Sequence, residues 1–450
     1  MKSKKSKHAS IEVLELALDS FNPAKRKEAL QALCAKIAAG QIELPHAGTD
    51  VNLHCHTFFS YNTYGYSPTK FAWLARKSGL AVAGVVDFDV LDALEEFFEA
   101  GRMLDLKVCA GLETRVYVPE FADRIINSPG EPGISYHMGV GFPSAQVPAE
   151  QKKFLAGLRE TAQQRNQSLT NRVNKHLHPV ELDYERDVLT LTPAGNATER
   201  HICLAYARKA KEIFGETDAL TDFWSQKLGA DAKSLGLPEG GNLLNTIRAK
   251  TMKRGGAGYV QPDKGSFPCV ADTNRFILAA GGIPVHTWLD GTSDGEKAIE
   301  ELLGVAMSTG AAALNVIPDR NYTPGSPDVK LKNLYQVVAL AEKLDLIVVE
   351  GTEMNSPGQK FVDDFNTAEL ATLMPVFLKG AHIVYAHSVL QRKCGLGYTS
   401  EWARRNFKNA GEKNQFYEQV GRSLKPLHED NLSGLNDSST TQDILDKIRN

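Results

Sequence analysis

Two histidines set two apart in an apolar run are the first residues able to do chemistry. Val51 to Ser60 reads Val-Asn-Leu-His-Cys-His-Thr-Phe-Phe-Ser, with His54 and His56 in what reads as a short buried strand. Side chains at i and i+2 of a strand leave the same face, so both imidazoles point at one spot. Two neutral imidazoles there suit a divalent transition metal, although spacing alone leaves an ordinary strand-end pair equally open. Glu113, His137 and His286 also fall at or near the ends of apolar runs. A lone strand-end histidine is usually just a hydrogen-bonded one. Five candidates in this pattern, spread over alternating strands, are harder to assign to coincidence. The chemistry that wants such a set is hydrolysis. Two ions held a few ångströms apart lower the pKa of a bridging water and clamp phosphoryl oxygens. Glu113 is the carboxylate that would keep such a pair together.

The elements that must position these residues follow from periodicity. Residues 9 to 39 read as helix broken near Asn22-Pro23, an extension on the main body. Strand and helix then alternate: helix Pro68 to Ser78, strand Ala81 to Val86 ending at Asp87-Phe88-Asp89, helix Leu91 to Leu104. The strand Lys107 to Ala110 runs into Gly111-Leu-Glu113, and Ser135 to Gly141 carries His137. Such alternation argues for an α/β fold with parallel strands and chemistry at their carboxyl ends. A long, polar, helical stretch with many basic residues interrupts it from Pro148 to about Asp263. The rhythm resumes with helix Ala271 to Ala280, strand Ile283 to His286, helix Glu296 to Thr309 and strand Ala312 to Ile317. Helix Lys332 to Leu344, strand Ile347 to Glu350 and a strand His382 to Tyr385 leading to His387 complete it. Residues 401–450 are helical in pieces, with a polar segment from Asp430 to Thr441 expected to be mobile. The expected divisions are therefore 1–46 helical extension, 47–147 first part of the barrel, 148–265 helical insertion, 266–400 second part of the barrel and 401–450 tail.

Composition sets the outer bounds. The chain has 450 residues, 42% hydrophobic and 23% charged, which is that of a soluble globular protein. A net charge of -3 gives no basis for general affinity toward nucleic acid or anionic membrane. The six cysteines are scattered without a CxxC pair, which fits a reducing cytoplasm better than a disulfide framework. The basic start MKSKKSKH is followed by Glu12 and Glu15 rather than an apolar stretch, against a signal peptide. No apolar run is long enough to span a membrane, and neither GxxxxGK[ST] nor GxGxxG occurs.

The order HxH, Asp-x-Asp after a strand, Gly-x-Glu, a later His, Gly-Gly-Ile-Pro-Val-His and a final Ala-His-Ser with Gly-x-Gly-Tyr resembles the PHP (polymerase and histidinol phosphatase) family over roughly residues 48 to 400. The resemblance implies a distorted seven-stranded, TIM-like β/α barrel with a helical insertion. It also implies a first ion on His54, His56, Glu113 and an Asp of the last motif, a second on Glu113, His137 and His286, and a third ending at the final His. The chain departs from that pattern. Tyr385 stands where the final Asp is expected, Tyr61 or Asn62 and Phe88 replace third-site ligands, and His387 alone remains there. One or two ions are therefore expected, zinc, manganese or iron, with Asp87 either a substitute ligand or a group that orients a ligand histidine.

Arg200, Lys175 and Arg254 of the insertion are candidates to hold a substrate phosphate, against the plainer reading of a solvated helix face. His201 could protonate a leaving group or cap a helix, and Glu353 and Asn355 follow a strand end and could line the same mouth. The expectation is a cytoplasmic metal-dependent hydrolase, a phosphoesterase of a small phosphorylated metabolite or nucleotide working through a metal-activated water. Glu113, Asp87 and His201 would serve catalysis. Two alternatives remain: a catalytically reduced scaffold for sensing or partner binding, and a hydrolase of non-phosphorylated substrates.

Overall fold

The computed structural model describes residues 9–263, 265–323 and 328–449; the basic start of the chain, 1–8, lies outside them. Its centre is one seven-stranded sheet in the order β1 to β7. The chain begins with α1 (Ile11–Ala17) and α2 (Pro23–Ala38), the second started by the Asn22 side chain and Pro23. Then come β1 (Val51–Cys55), α3 (Pro68–Ser78), β2 (Val82–Phe88), α4 (Leu94–Leu104), β3 (Lys107–Tyr117) and β4 (Ile134–Val140). The Ser67 hydroxyl caps α3 at one end, and Gly79 stops it at the other in the left-handed region, φ 73°.

The interrupting stretch is helical: α5 (Ala149–Leu177), α6 (Glu199–Phe214), α7 (Asp218–Leu228) and α8 (Gly241–Thr251). Much of it packs on itself, with one apolar cluster drawn only from residues between Leu169 and Met252. The barrel resumes with α9 (Val270–Ala279), β5 (Ile283–Thr287), α10 (Asp294–Lys297), α11 (Ile299–Ser308), β6 (Ala313–Val316), α12 (Pro318–Asn321), α13 (Val329–Lys343) and β7 (Ile347–Glu350). After β7 lie α14 (Ala368–Ala371), α15 (Met374–Cys394), α16 (Glu401–Asn406), α17 (Ala410–Ser423) and α18 (Thr441–Arg449).

The sheet nearly closes. Just past β7, the Glu353 N–H donates to the His54 carbonyl at 2.7 Å and the His56 N–H donates to the Glu353 carbonyl at 2.8 Å, which brings the chain after β7 against β1. Glu353 and Met354 hold φ of 62° and 54° to make that approach, a backbone strain of the kind that gathers at functional sites. Among the described residues no helix is long and apolar enough to cross a membrane, and the six cysteines are free.

Two expectations fail here. β4 is antiparallel to both β3 and β5, not parallel. Only a short 3-10 turn at Pro119–Phe121 lies between β3 and β4, and a parallel pair needs a longer crossover. The stretch His382 to Tyr385 is not a strand but the middle of α15, where every residue from Gly380 to Leu390 is buried. A helix buried all round loses its polar stripe and reads as a plain apolar run. α15 crosses the amino-terminal end of the barrel. A Cβ on Gly380 would come within 1.8 Å of the carbonyl of Val348 near the start of β7, and Lys107, which begins β3, lies over the Tyr385 ring.

Candidate metal centre

His54 lies within an irregularity of register near the end of β1, His56 follows the strand directly, and Glu113 lies on β3 opposite Phe88. The His54 Nε2 stands 3.4 Å and the His56 Nε2 3.1 Å from Glu113 Oε2, all three residues fully buried. Among the described residues these three form the group whose ligand atoms lie within 4.8 Å of one another. Ligands 2.0–2.1 Å from a tetrahedral zinc ion sit about 3.3 Å apart, so the spacing fits such an ion.

The imidazoles are held in the tautomer a metal requires. Asn315 on β6 gives its amide N–H to the Val349 carbonyl, so its oxygen accepts from His54 Nδ1 at 3.2 Å. Ser60 donates its hydroxyl proton to Asp87 at 2.6 Å and therefore accepts from His56 Nδ1 at 3.0 Å. With both protons on Nδ1, the two Nε2 atoms are bare, and neither they nor Glu113 Oε2 has a hydrogen-bond partner. In the metal-free chain, where a facing imidazole carries a second proton on Nε2 in the ion's place, burial would raise the Glu113 pKa but that positive charge outweighs it and holds it at about 2. Burial pulls the His54 pKa down, and the Glu113 charge more than reverses that. The chemistry of the donor set therefore fits one divalent ion.

Asp87 is near but does not ligate. Its two oxygens accept from the Thr57 N–H at 2.8 Å, the Thr57 hydroxyl at 2.7 Å and Ser60. Burial pushes its pKa up against those three donors. It orients His56 through Ser60, while Phe88 stacks on the His56 ring at 4.4 Å.

His137 and His286 are not in this group. Side chains directly opposite across a strand pair leave the same face. Glu113 pairs with Met138 and Met138 with Val285, which places those three inside; His137 and His286 pair with each other on the outer face. There they border a small cavity under α9 and α11 with Val116, Val270 and Leu302, and His137 Nε2 meets Asn274 of α9 at 2.5 Å. Being one residue out of register turns a side chain to the opposite face, so the expected second ion loses both histidines. His387 lies at the far end of the barrel, its ring nitrogens engaged by the Gly281 carbonyl and the Tyr398 N–H, and Tyr385 bonds Glu429. Neither marks an ion site.

The helical stretch roofs the centre. Asn196 donates to the carbonyls of Phe59, in the loop after His56, and of Phe88, whose ring stacks on His56, at 3.1 and 2.8 Å. His201 packs edge-on against Tyr61, and its Nδ1 accepts from the Thr198 N–H in a capping box; burial pushes its pKa down to about 3. That is the helix-capping alternative, and it leaves a neutral ring. Arg200 reaches across to Ser356 at 2.9 Å, so it does stand in the roof. Lys175 is exposed near the end of α5, ten residues and so about 15 Å from Arg165. Arg254 is exposed and packs beside Gly130, at the rim. A groove of about 640 Å³ runs between α5 and the start of α4, lined by Asp89, Leu91, Asp92, Leu155 and Arg159, and none of the three metal-centre residues borders it.

Sequence reasoning missed Asn315, Ser60 and Asn196. Asn315 had a signal, a polar residue inside the apolar strand ALNV. Glu353, expected only to line the mouth, also joins β1 through its backbone, and its carboxylate accepts from Gln359 at 2.7 Å.

No protein-family model matches the chain, and no curated protein matches it. Among solved structures it is similar to an amidohydrolase from Chromobacterium violaceum with bound sulfate and no metal, at 17% identity and TM-score 0.48, covering 69% of this chain and 88% of that one. It is also similar to a protein from Bifidobacterium adolescentis described as a metal-dependent phosphoesterase, at 18% identity and TM-score 0.46, covering 73% and 97%.

Proposed function

We propose that the chain is a metal-dependent hydrolase whose substrate is a small phosphorylated metabolite or nucleotide. The observation that carries this reading is the convergence of three bare, buried ligand atoms, His54 Nε2, His56 Nε2 and Glu113 Oε2, within 4.8 Å of one another, with both nitrogens at ligand spacing from the carboxylate. Zinc, manganese or iron held there would supply a water of near-neutral pKa and polarise a phosphoryl oxygen. The chain's own residues do the rest. Asp87 and Ser60 keep the His56 proton on Nδ1, Asn315 does the same for His54, and Asn196 with Phe88 keeps bulk water out. Cations of the roof face the charge that develops on a phosphoryl group. The test is hydrolysis of a panel of phosphomonoesters by purified protein with and without added metal. Glu113→Ala should abolish both metal content and turnover, and a variant that kept both in full would sink the reading.

One observation favours a second reading, a metal-holding scaffold without turnover. The outward turn of His137 and His286 leaves ligands for one ion where one or two were expected. Bound metal with no hydrolysis of any phosphoester would decide for the scaffold.

A further inference from the structure

The roof holds two guanidiniums that crowd one aromatic ring, with Asp89 and Glu131 the carboxylates that face them. Arg115 follows Glu113 by two on β3, so it leaves the same inner face one strand step, about 7 Å, further up. Arg165 comes down from the middle of α5. Both guanidiniums lie over the same ring, that of Phe267, at 4.3 and 4.6 Å. Like charges so placed repel each other. Burial, followed by the Arg115 charge, lowers the Arg165 pKa to about 10.

A guanidinium carries five N–H donors. Here Arg115 uses one on Glu131 at 2.9 Å, and Arg165 one on the Ser266 carbonyl at 3.3 Å. Among the described residues no carboxylate lies within ion-pair distance of Arg165, whereas its neighbours Arg248 and Lys253 are both engaged by Glu199 at 2.7 and 2.8 Å. Asp89, held by the Thr114 hydroxyl, offsets part of their charge, and most of the ten N–H donors of Arg115 and Arg165 are left for an anion one strand step above Glu113.

We infer that Arg115 and Arg165 together bind a phosphate dianion, the charged group of the substrate. This rests on the hydrolase reading above and names the residues that select its substrate class. One guanidinium fork satisfies a carboxylate, as Arg115 already does for Glu131 in part; two forks suit a tetrahedral group with three free oxygens. Lys175 and Arg254 take no part in this cradle, being exposed on α5 and at the rim.

The test is calorimetric titration of orthophosphate into the full chain, metal-free and metal-loaded. The proteins are wild type, Arg165→Met, Arg115→Met and Lys175→Met. Methionine keeps an apolar stem over Phe267 while removing the charge. Orthophosphate binding to the metal-free chain should weaken about tenfold or more in the first two variants and stay at wild-type strength in Lys175→Met, with metal stoichiometry unchanged throughout. Arg165→Lys, which keeps charge but not the fork, should fall between, and it serves if Arg165→Met does not fold. Wild-type affinity in Arg165→Met and Arg165→Lys would overturn the proposal, as would a wild-type chain that binds no orthophosphate. The hydrolase reading fails separately, through absence of metal or of turnover, because the metal-free titration needs neither.

Discussion

Glu113→Gln is the substitution that most directly separates the inner ligands from the outer histidines. Glutamine keeps the side-chain size and removes the only charge in the group. In the wild-type chain Oε2 faces two bare imidazole nitrogens at 3.1 and 3.4 Å, so a divalent ion meets two neutral rings and one carboxylate. A ligand that binds only the folded state stabilises it by RT ln(1 + [L]/Kd), about 2.7 kcal/mol when the free ion is a hundredfold above Kd. Loss even of an outer partner of a ligand weakens metal affinity about 10- to 100-fold, and loss of the charged ligand itself should do at least the larger. At the same free ion the stabilisation then falls to RT ln 2, about 0.4 kcal/mol. The assay is urea unfolding with and without zinc or manganese, paired with elemental analysis of the dialysed protein. His137→Gln and His286→Gln are the decisive controls. Both sites face the helices outside the barrel, so these variants should lose stability in the metal-free state yet keep the full metal-dependent gain. If either loses that gain as completely as Glu113→Gln, the assignment of faces from strand register is wrong. If Glu113→Gln keeps it, the centre is not where we place it.

Ser60→Ala should break the link from Asp87 to His56, release the imidazole tautomer and weaken metal affinity about 10- to 100-fold in a chelator competition. Unchanged affinity would mean that the Phe88 stack alone fixes the ring. Acid should destabilise the metal-free chain through the outer histidines, because burial pushes His137 down to about 4 and His286 to about 3 from the ordinary 6.5. Below pH 6.5 the unfolded chain takes protons that the folded one refuses, so their contribution is whole above 6.5 and is lost as the pH falls toward 3. It is on the order of 3 kcal/mol for His137 and about 5 kcal/mol for His286. Urea midpoints between pH 7.5 and about 4.5 should fall steeply for the wild type and less steeply for His286→Gln; equal slopes would refute the assignment.

The parts of this structure legible in the sequence were those carried by short-range pattern. HxH stood out because two residues on one strand share a face whatever the strand's neighbours do, and β7 and α3 were bounded correctly by apolar runs and their stop residues. The direction of β4 was not legible, because it depends on how the chain turns between Tyr117 and Ile134 rather than on the strand's own residues. From that follows the misplacement of His137 and His286: whether a strand residue points in or out is fixed by partners far away in sequence, here Met138 against Glu113 and Val285. α15 was misread for a related reason, since complete burial erases the polar face that distinguishes a helix. Asp87 was read as either a ligand or an orienting group, and its contacts with Thr57 and Ser60 fit the second.

The charges around the centre argue for a dianionic substrate over a neutral one. Five cations, Arg115, Arg165, Arg200, Arg248 and Lys253, share the roof with the carboxylates of Asp89, Glu131 and Glu199. Below them Glu113 and a divalent ion would together carry one positive charge. Two unit charges about 7 Å apart at an effective dielectric near 20 repel by about 2 kcal/mol, so closing this roof over an ion and a neutral substrate works against the roof's own hydrogen bonds. A phosphate dianion reverses the sign of that term, for it attracts the ion below and the arginines above. On the proposed reading a non-phosphorylated substrate is the weaker alternative, and Glu113 and Arg115, at neighbouring inward positions of one strand, would draw the ion and the anion at successive levels along the barrel axis.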